Sequence, residues 1–245
     1  MARTDTLKNF LTDVANSIRE KKGTSDKILA SNFDTEIQNI QSGSEESIYD
    51  YFFSSVSGNV KAQTLFKTIP KIDFSKATNT RTLFYQSSIV TVPELDLSNV
   101  TDAAGMFNDC KELKTIPNLN TIKATDMSYL FIMCPKLESI GEVNADSATN
   151  ITGIVDNDSK LNKFLGLKNL GKGYLTSSEA NFSNYTLNLS QTNLDHDSLM
   201  NVINKLYDIK SKGCQVQRLI LGSILKAKLT TEEIAIATSK GWNVE

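Results

Sequence analysis

Four stretches decide how this chain folds: Phe66-Lys67-Thr68-Ile69-Pro70-Lys71-Ile72, Ile89-Val90-Thr91-Val92-Pro93-Glu94-Leu95, Leu113-Lys114-Thr115-Ile116-Pro117-Asn118-Leu119 and Leu137-Glu138-Ser139-Ile140-Gly141-Glu142-Val143. Each follows the template apolar-x-x-apolar-Pro/Gly-x-apolar, and successive copies start 23 or 24 residues apart. The pairs Leu83-Phe84, Met106-Phe107, Leu130-Phe131 and Ile154-Val155 recur in step, and Leu161-Asn162-Lys163-Phe164-Leu165-Gly166-Leu167 is a fifth, degenerate copy. A unit this short cannot bury its apolar face alone, so tandem copies must stack to make a core.

The period lies within the range of leucine-rich repeats, in which each unit supplies one short strand and one turn or short helix. The expected fold is therefore α/β: a leucine-rich-repeat solenoid with short strands, preceded by an N-terminal helical hairpin. At roughly 4.8 Å per strand, five units span on the order of 24 Å along the stack.

Working outward to the N-terminus, Leu7, Phe10, Leu11, Val14 and Ile18 recur at helical spacing and Lys21-Lys22-Gly23 supplies a basic last turn and a stop. Phe33, Ile37 and Ile40 lie on one face of a second, shorter helix. At about 25 cal/mol per Å² so few apolar residues bury too little to hold a hairpin alone, so it needs a partner or self-association. A homo-oligomer is expected. The polar run Gln41 to Ser47 reads as a linker, giving three divisions: 1–47, hairpin and linker; 48–172, repeats with an N-terminal cap; 173–245, longer C-terminal units and cap. The aromatic run Tyr49, Tyr51, Phe52 and Phe53 either caps the first repeat or meets a partner.

In the C-terminal division, Tyr185-Thr186-Leu187-Asn188-Leu189 and Gln217-Arg218-Leu219-Ile220-Leu221 alternate as strands. Between them a helix is expected from near Asp195 to Lys212-Gly213, with Leu199, Val202, Ile203 and Leu206 on one face. A last helix opens at Thr230 or Thr231 and stops at Lys240-Gly241.

Composition narrows the function. Lys and Arg number 26 against 28 Asp and Glu with no block of like charge, which argues against nucleic acid as a partner. No run approaches the roughly 18 apolar residues of a membrane span, and the start has no signal-peptide core, so membrane insertion is not expected and the chain reads as made in the cytoplasm. Cys110, Cys134 and Cys214 have neither metal spacing nor an even count, so reduced thiols and no metal are expected.

The repeats, with Met106-Phe107-Asn108-Asp109-Cys110-Lys111-Glu112-Leu113 as the best example, resemble the BspA-type leucine-rich repeats of bacterial surface and phage proteins. The opening Leu7 to Ala15 and Ile18 to Gly23 resembles a segment at the start of structural proteins from phages of Gram-positive bacteria, and Tyr49-Asp50-Tyr51-Phe52 and Ala237 to Trp242 resemble the flanks of repeat-bearing phage tail proteins. The resemblance implies a virion structural protein, made in the host bacterial cytoplasm and carried on the particle. Its hairpin (Leu7, Phe10, Leu11, Val14, Ile18, Phe33, Ile37, Ile40) would dock on other virion proteins of the tail or baseplate, or alternatively decorate the capsid. Its solenoid would meet a host cell-envelope glycan or protein. A bacterial surface adhesion protein is the further alternative. The chain departs from the pattern where Gly141 and Leu165 replace Pro and Asp158 replaces Cys, so the surface there is expected to curve differently.

The candidate ligand-binding residues are the outward strand positions Thr68, Lys71, Thr91, Glu94, Thr115, Asn118, Ser139 and Glu142, which stacking would align in rows. Ser87, Cys110, Cys134 and Asp158 share a column and are expected as small interior side chains. His196 between Asp195 and Asp197 reads as an exposed cluster at a helix start, and Asp156-Asn157-Asp158 as a turn lacking the distal Glu of an EF-hand. With no nucleophile elbow, phosphate loop or dinucleotide fingerprint, the chain is read as a binder without catalytic residues or cofactors. A wall-degrading enzyme would instead need two acidic side chains converging in a cleft, a spacing that exists only in three dimensions.

Overall fold

The computed structural model describes residues 74–173 and 186–245, all within one compact unit. The hairpin positions, Thr68 and Lys71 of the first copy, the aromatic run 49–53 and Tyr185 lie outside the described residues.

Within 74–173 each copy pairs with the next, one period along. Strands β1 (Thr115–Ile116), β2 (Ser139–Ile140) and, two strands later, β4 (Lys163–Phe164) form a parallel ladder with Thr115 opposite Ser139 and Ser139 opposite Lys163. A bridge from Thr91 to Thr115 carries it one copy further. Strand β3 (Val143–Asn144) pairs in parallel with β5 (Leu167–Lys168), and Leu119 is bridged to Val143. A third row of bridges joins Asn79, Asp102, Asp126 and Asn150. Strand β1 is followed at once by Pro117, whose missing N–H cannot continue a ladder.

The segment between the third row and the next strand is a six-residue turn, at 81–86, 104–109, 128–133 and 152–157. Its amides alternate between two destinations. Thr82, Phe84 and Gln86 donate to Ala104, Met106 and Asn108 of the next copy at 2.8–2.9 Å, whereas Leu83, Tyr85 and Ser87 donate back into their own turn. Satisfying both sets puts the second and sixth turn residues at positive φ in every copy: Thr82, Gly105, Tyr129 and Gly153 (54–61°), and Gln86, Asp109, Met133 and Asn157 (57–65°). Only two of these eight are glycine, so the left-handed conformation is imposed by the bonds to the neighbouring copy rather than by local preference.

Register makes equivalent side chains meet. Phe84, Phe107 and Phe131 stack with centroids 5.6 and 5.9 Å apart and planes within 14° and 10° of parallel, and the Phe74 ring closes the series edge-on at 6.5 Å. Ile89, Leu113, Leu137 and Leu161 form a second fully buried column, and Val92, Ile116, Ile140 and Phe164 a third. On the outside, Thr101, Thr125 and Thr149 each donate their hydroxyl to the carbonyl of the equivalent threonine one copy earlier, at 3.0–3.2 Å.

After residue 186 the units lengthen but stay parallel. Strands β6 (Thr186–Asn188), β7 (Gln217–Ile220) and β8 (Trp242–Val244) form one sheet in that order, with Leu187 opposite Leu219 and Leu219 opposite Val244. Helix α1 (His196–Lys205) links β6 to β7, and α2 (Gly222–Lys226) and α3 (Thr231–Ser239) link β7 to β8. Asp195 caps α1 by accepting from Ser198 N–H at 2.8 Å, and Thr230 and Glu233 make a reciprocal capping box on α3.

Helix α1 ends at Lys205, not at Lys212-Gly213 as its sequence signals suggest. Leu206 leaves the helix at φ −60°, ψ 134° to bridge Leu170, and Tyr207 N–H donates to the Leu170 carbonyl at 2.9 Å. The pairing outweighs the apolar periodicity that includes Leu206. The basic residues and Gly213, at φ 72°, instead close a short 3-10 turn over Lys210–Lys212. Helix α2, five residues long, has no counterpart among the elements that the sequence predicts.

Gly141 stands where the preceding copy has Pro117. Its N–H donates to the Ile116 carbonyl at 2.9 Å, a bond proline cannot make, and a Cβ on it would lie 2.6 Å from Asn118 N and from the Pro117 carbonyl carbon. Copies approach here only because Cβ is missing. Gly141→Ala should therefore lower unfolding free energy by about 1–3 kcal/mol through overpacking. Phe107→Ala, removing the middle ring of the stack, should lower it by about 3–5 kcal/mol. Urea melts read both, and wild-type midpoints in either variant would contradict the packing described.

Candidate functional site

The outward face of the β1-β2-β4 ladder carries one row of side chains from strand positions. Thr91 and Thr115 are exposed, Ser139 half-buried and Lys163 exposed, while their neighbours Val92, Ile116, Ile140 and Phe164 point into the core. At roughly 4.8 Å per copy, this is a line of hydroxyls ending in an ammonium. Lys163 joins this row in addition to the residues that the sequence singles out, and the fifth sequence copy aligns it with Ser139.

Glu94, Asn118 and Glu142 form a second row three residues along. Asn118 does not face solvent freely: its Oδ1 accepts the Glu142 N–H at 2.7 Å, pinning two copies together. Glu142 is met by Lys205 of α1 at 3.3 Å, and Lys205 Nζ also donates to the Leu165 carbonyl at 2.6 Å. Helix α1 thus closes one end of this row, which no sequence spacing could show. Between the rows runs the column Pro93, Pro117, Gly141 and Leu165, the last 45% exposed. The face presents hydroxyl donors and acceptors, carboxylates, two ammonium groups and one apolar side chain.

Elsewhere some charged groups are tied to each other across copies. Arg81 spans two copies, donating to Asp102 at 2.7 Å and to Asp126 at 2.8 Å. Burial raises the Asp126 carboxyl, but bonds from Ser128 and Arg81 outweigh it and hold the group below its ordinary value. Asp146 is likewise lowered against the effect of burial, by Lys172 and by Asn169 Nδ2 at 2.7 Å.

Cys110 and Cys134 are fully buried and free. Each thiol donates to the phenylalanine carbonyl of the preceding copy: Cys110 Sγ to Phe84 at 3.0 Å and Cys134 Sγ to Phe107 at 3.1 Å. The contact with Cys110 and burial push the Cys134 thiol up, so it stays protonated. Asp158, next in the column, is interior as the alignment of copies predicts, although it also follows the turn. It is fully buried, its Oδ1 accepts the Cys134 N–H at 2.8 Å, its Oδ2 has no partner, and burial pushes the carboxyl up to about 8.

His196, the first residue of α1, is exposed and faces carboxylates: Nε2 lies 2.9 Å from Glu233 Oε1 and Nδ1 3.6 Å from Asp197 Oδ1. Among the described residues there is no cluster of three His, Cys, Asp or Glu that could hold a metal, and no helix long and apolar enough to cross a membrane.

Residues 51–169, a little under half the chain, match a family model. The family is described as "Mycoplasma protein of unknown function, DUF285". The match spans the whole described run of 23–24-residue copies and stops before β6. No curated protein and no solved structure matches the chain.

The hydrogen bond that His196 donates to Glu233 raises the His196 pKa above the ordinary 6.5. A raised histidine stabilises the folded state below the unfolded value, and that contribution is lost as pH rises through the folded one. As His196 is the sole histidine, its ring-proton resonances should titrate above 6.5, and Glu233→Gln should bring the midpoint down. An unchanged midpoint in the variant would remove this link between α1 and α3.

Proposed function

We propose that this chain is a binding protein: a leucine-rich-repeat solenoid whose strand face recognises a protein or a cell-envelope glycan, carried on a phage particle by its N-terminal helices. The observation that supports binding is the in-register row Thr91, Thr115, Ser139 and Lys163, an unbroken line of polar side chains on a rigid ladder. Hydroxyls at one spacing offer repeated hydrogen bonds to an extended polymer, and many copies on one particle would turn weak contacts into firm attachment. The virion setting rests on the resemblance of the opening segment to phage structural proteins, with the tail or baseplate as first location and the capsid surface as the alternative.

A second reading, an adhesion protein on a bacterial surface, is favoured by the match to a family described from Mycoplasma. Both readings use the same face and differ in what carries it.

Purified particles of the encoding phage should contain this chain, and the isolated protein should sediment with host cells. Thr91→Glu with Ser139→Glu should abolish cell binding while leaving the melting temperature within about 2 °C, because outward polar substitutions cost little. Particles lacking the chain would rule out the virion setting, and binding undiminished in the double variant would rule out this face.

A further inference from the structure

The buried column Ser87, Cys110, Cys134, Asp158 follows one rule at its two cysteines. The two thiols each donate a proton to the phenylalanine carbonyl one copy earlier, Cys110 to Phe84 and Cys134 to Phe107, while Ser87 Oγ lies 3.3 Å from Cys110 Sγ. The same register, continued by one copy, would set Asp158 against the Phe131 carbonyl. The backbone there differs from the first copy in a way that makes this carbonyl needy. Ser87 N–H closes its own turn onto the Phe84 carbonyl at 3.0 Å, whereas the equivalent amide, of Cys134, is diverted to Asp158 Oδ1 at 2.8 Å. Among the described residues no backbone amide donates to the Phe131 carbonyl, and Asp158 Oδ2 is buried with no partner. Two buried oxygens without hydrogen between them would be costly, and a single proton satisfies both.

We propose that Asp158 is a neutral carboxylic acid in the folded protein, its Oδ2–H donating to the Phe131 carbonyl and clasping the last two copies of the repeat through one proton. The acid does here what a thiol does in the earlier copies. The surroundings supply no countercharge. Asp156, two residues away in the same turn, is itself raised by burial and repels a negative charge on Asp158. Cys134 of the preceding copy is a protonated thiol. Lys160 on the same loop is exposed, and the following unit contributes the uncharged Gln191, whose Oε1 accepts the Asn157 N–H at 3.1 Å. A carboxyl raised in the folded state makes its full contribution below the ordinary 3.8, and loses it as pH rises toward and through about 8. The clasp therefore loosens in alkali.

The test compares the full-length wild type with Asp158→Asn, whose amide donates to the same carbonyl and accepts the same amide at every pH. The wild-type melting temperature should fall relative to the variant by several degrees between pH 5 and pH 9, with contributions from His196 and other groups common to both proteins cancelling. Infrared spectra of the wild type at pH 6.5 should show the carbonyl band of a protonated carboxylic acid, absent at pH 10 and absent from the variant. If Asp158→Asn fails to fold, Asp158→Cys, which restores the thiol of the earlier copies, takes its place. If neither folds, the wild-type band decides alone. No such band at pH 6.5, or a melting difference that does not grow with pH, overturns the proposal.

Discussion

Everything in residues 74–173 depends on hydrogen bonds that run from one copy of the motif to the same place in the next. They fix the pairing at one period, and one period is the only offset at which every apolar column meets itself. A slip by one residue would set outward positions against inward ones along three bridge rows at once. The bonds also carry conformations that the residues would not choose, as the positive φ of Thr82 and Tyr129 shows. A β-branched residue and an aromatic one sit in the left-handed region because amide donors on both copies are satisfied only there.

Self-pairing has a chemical consequence. A side chain that suits its own kind can be repeated without limit: phenylalanine stacks on phenylalanine, threonine donates to a threonine carbonyl, thiol follows thiol. A buried carboxyl can join such a run only as the neutral acid, because carboxylates one copy apart would repel in a low dielectric. Asp158 stands next to the point where the longer units begin. The ladder ends differently. Beyond β4 the Phe164 N–H finds a side chain, Ser198 Oγ at 3.0 Å, in place of another strand. Helix α1 is then held by lysines from outside it: Lys240 Nζ donates to the Ile203 and Asn204 carbonyls at its C-terminal end, and Lys228 Nζ to the Leu194 carbonyl before its start.

Much of this is legible in the residues, and the boundary of legibility has a physical cause. Interior columns such as Ile89, Leu113, Leu137 and Leu161 can be written down by aligning copies, because burial in a tandem stack follows position in the period. The start of α3 is equally readable, since a capping box is a local arrangement. Contacts between non-equivalent segments are not. Leu206 carries a helical apolar spacing yet is drawn out by Leu170, thirty-six residues earlier, and Lys205 reaches Glu142 from a helix that the strand pattern does not register. The site shows the same division: Thr91, Thr115 and Ser139 could be placed in one row from the period alone, whereas the pinning of Asn118 and the closure by α1 required coordinates.

That division bears on how such a face evolves. Inward strand residues are tied to their equivalents above and below, so changing one strains two neighbours. Thr91 and Thr115 of the first row are exposed, so either can change with little cost to the stack. The second row lacks this freedom, because Asn118 bonds the next copy and Glu142 is engaged by α1. A surface in which one row is free and the next is committed to holding the stack is suited to recognition that changes by substitution in a single line, while the line's spacing stays set by the backbone.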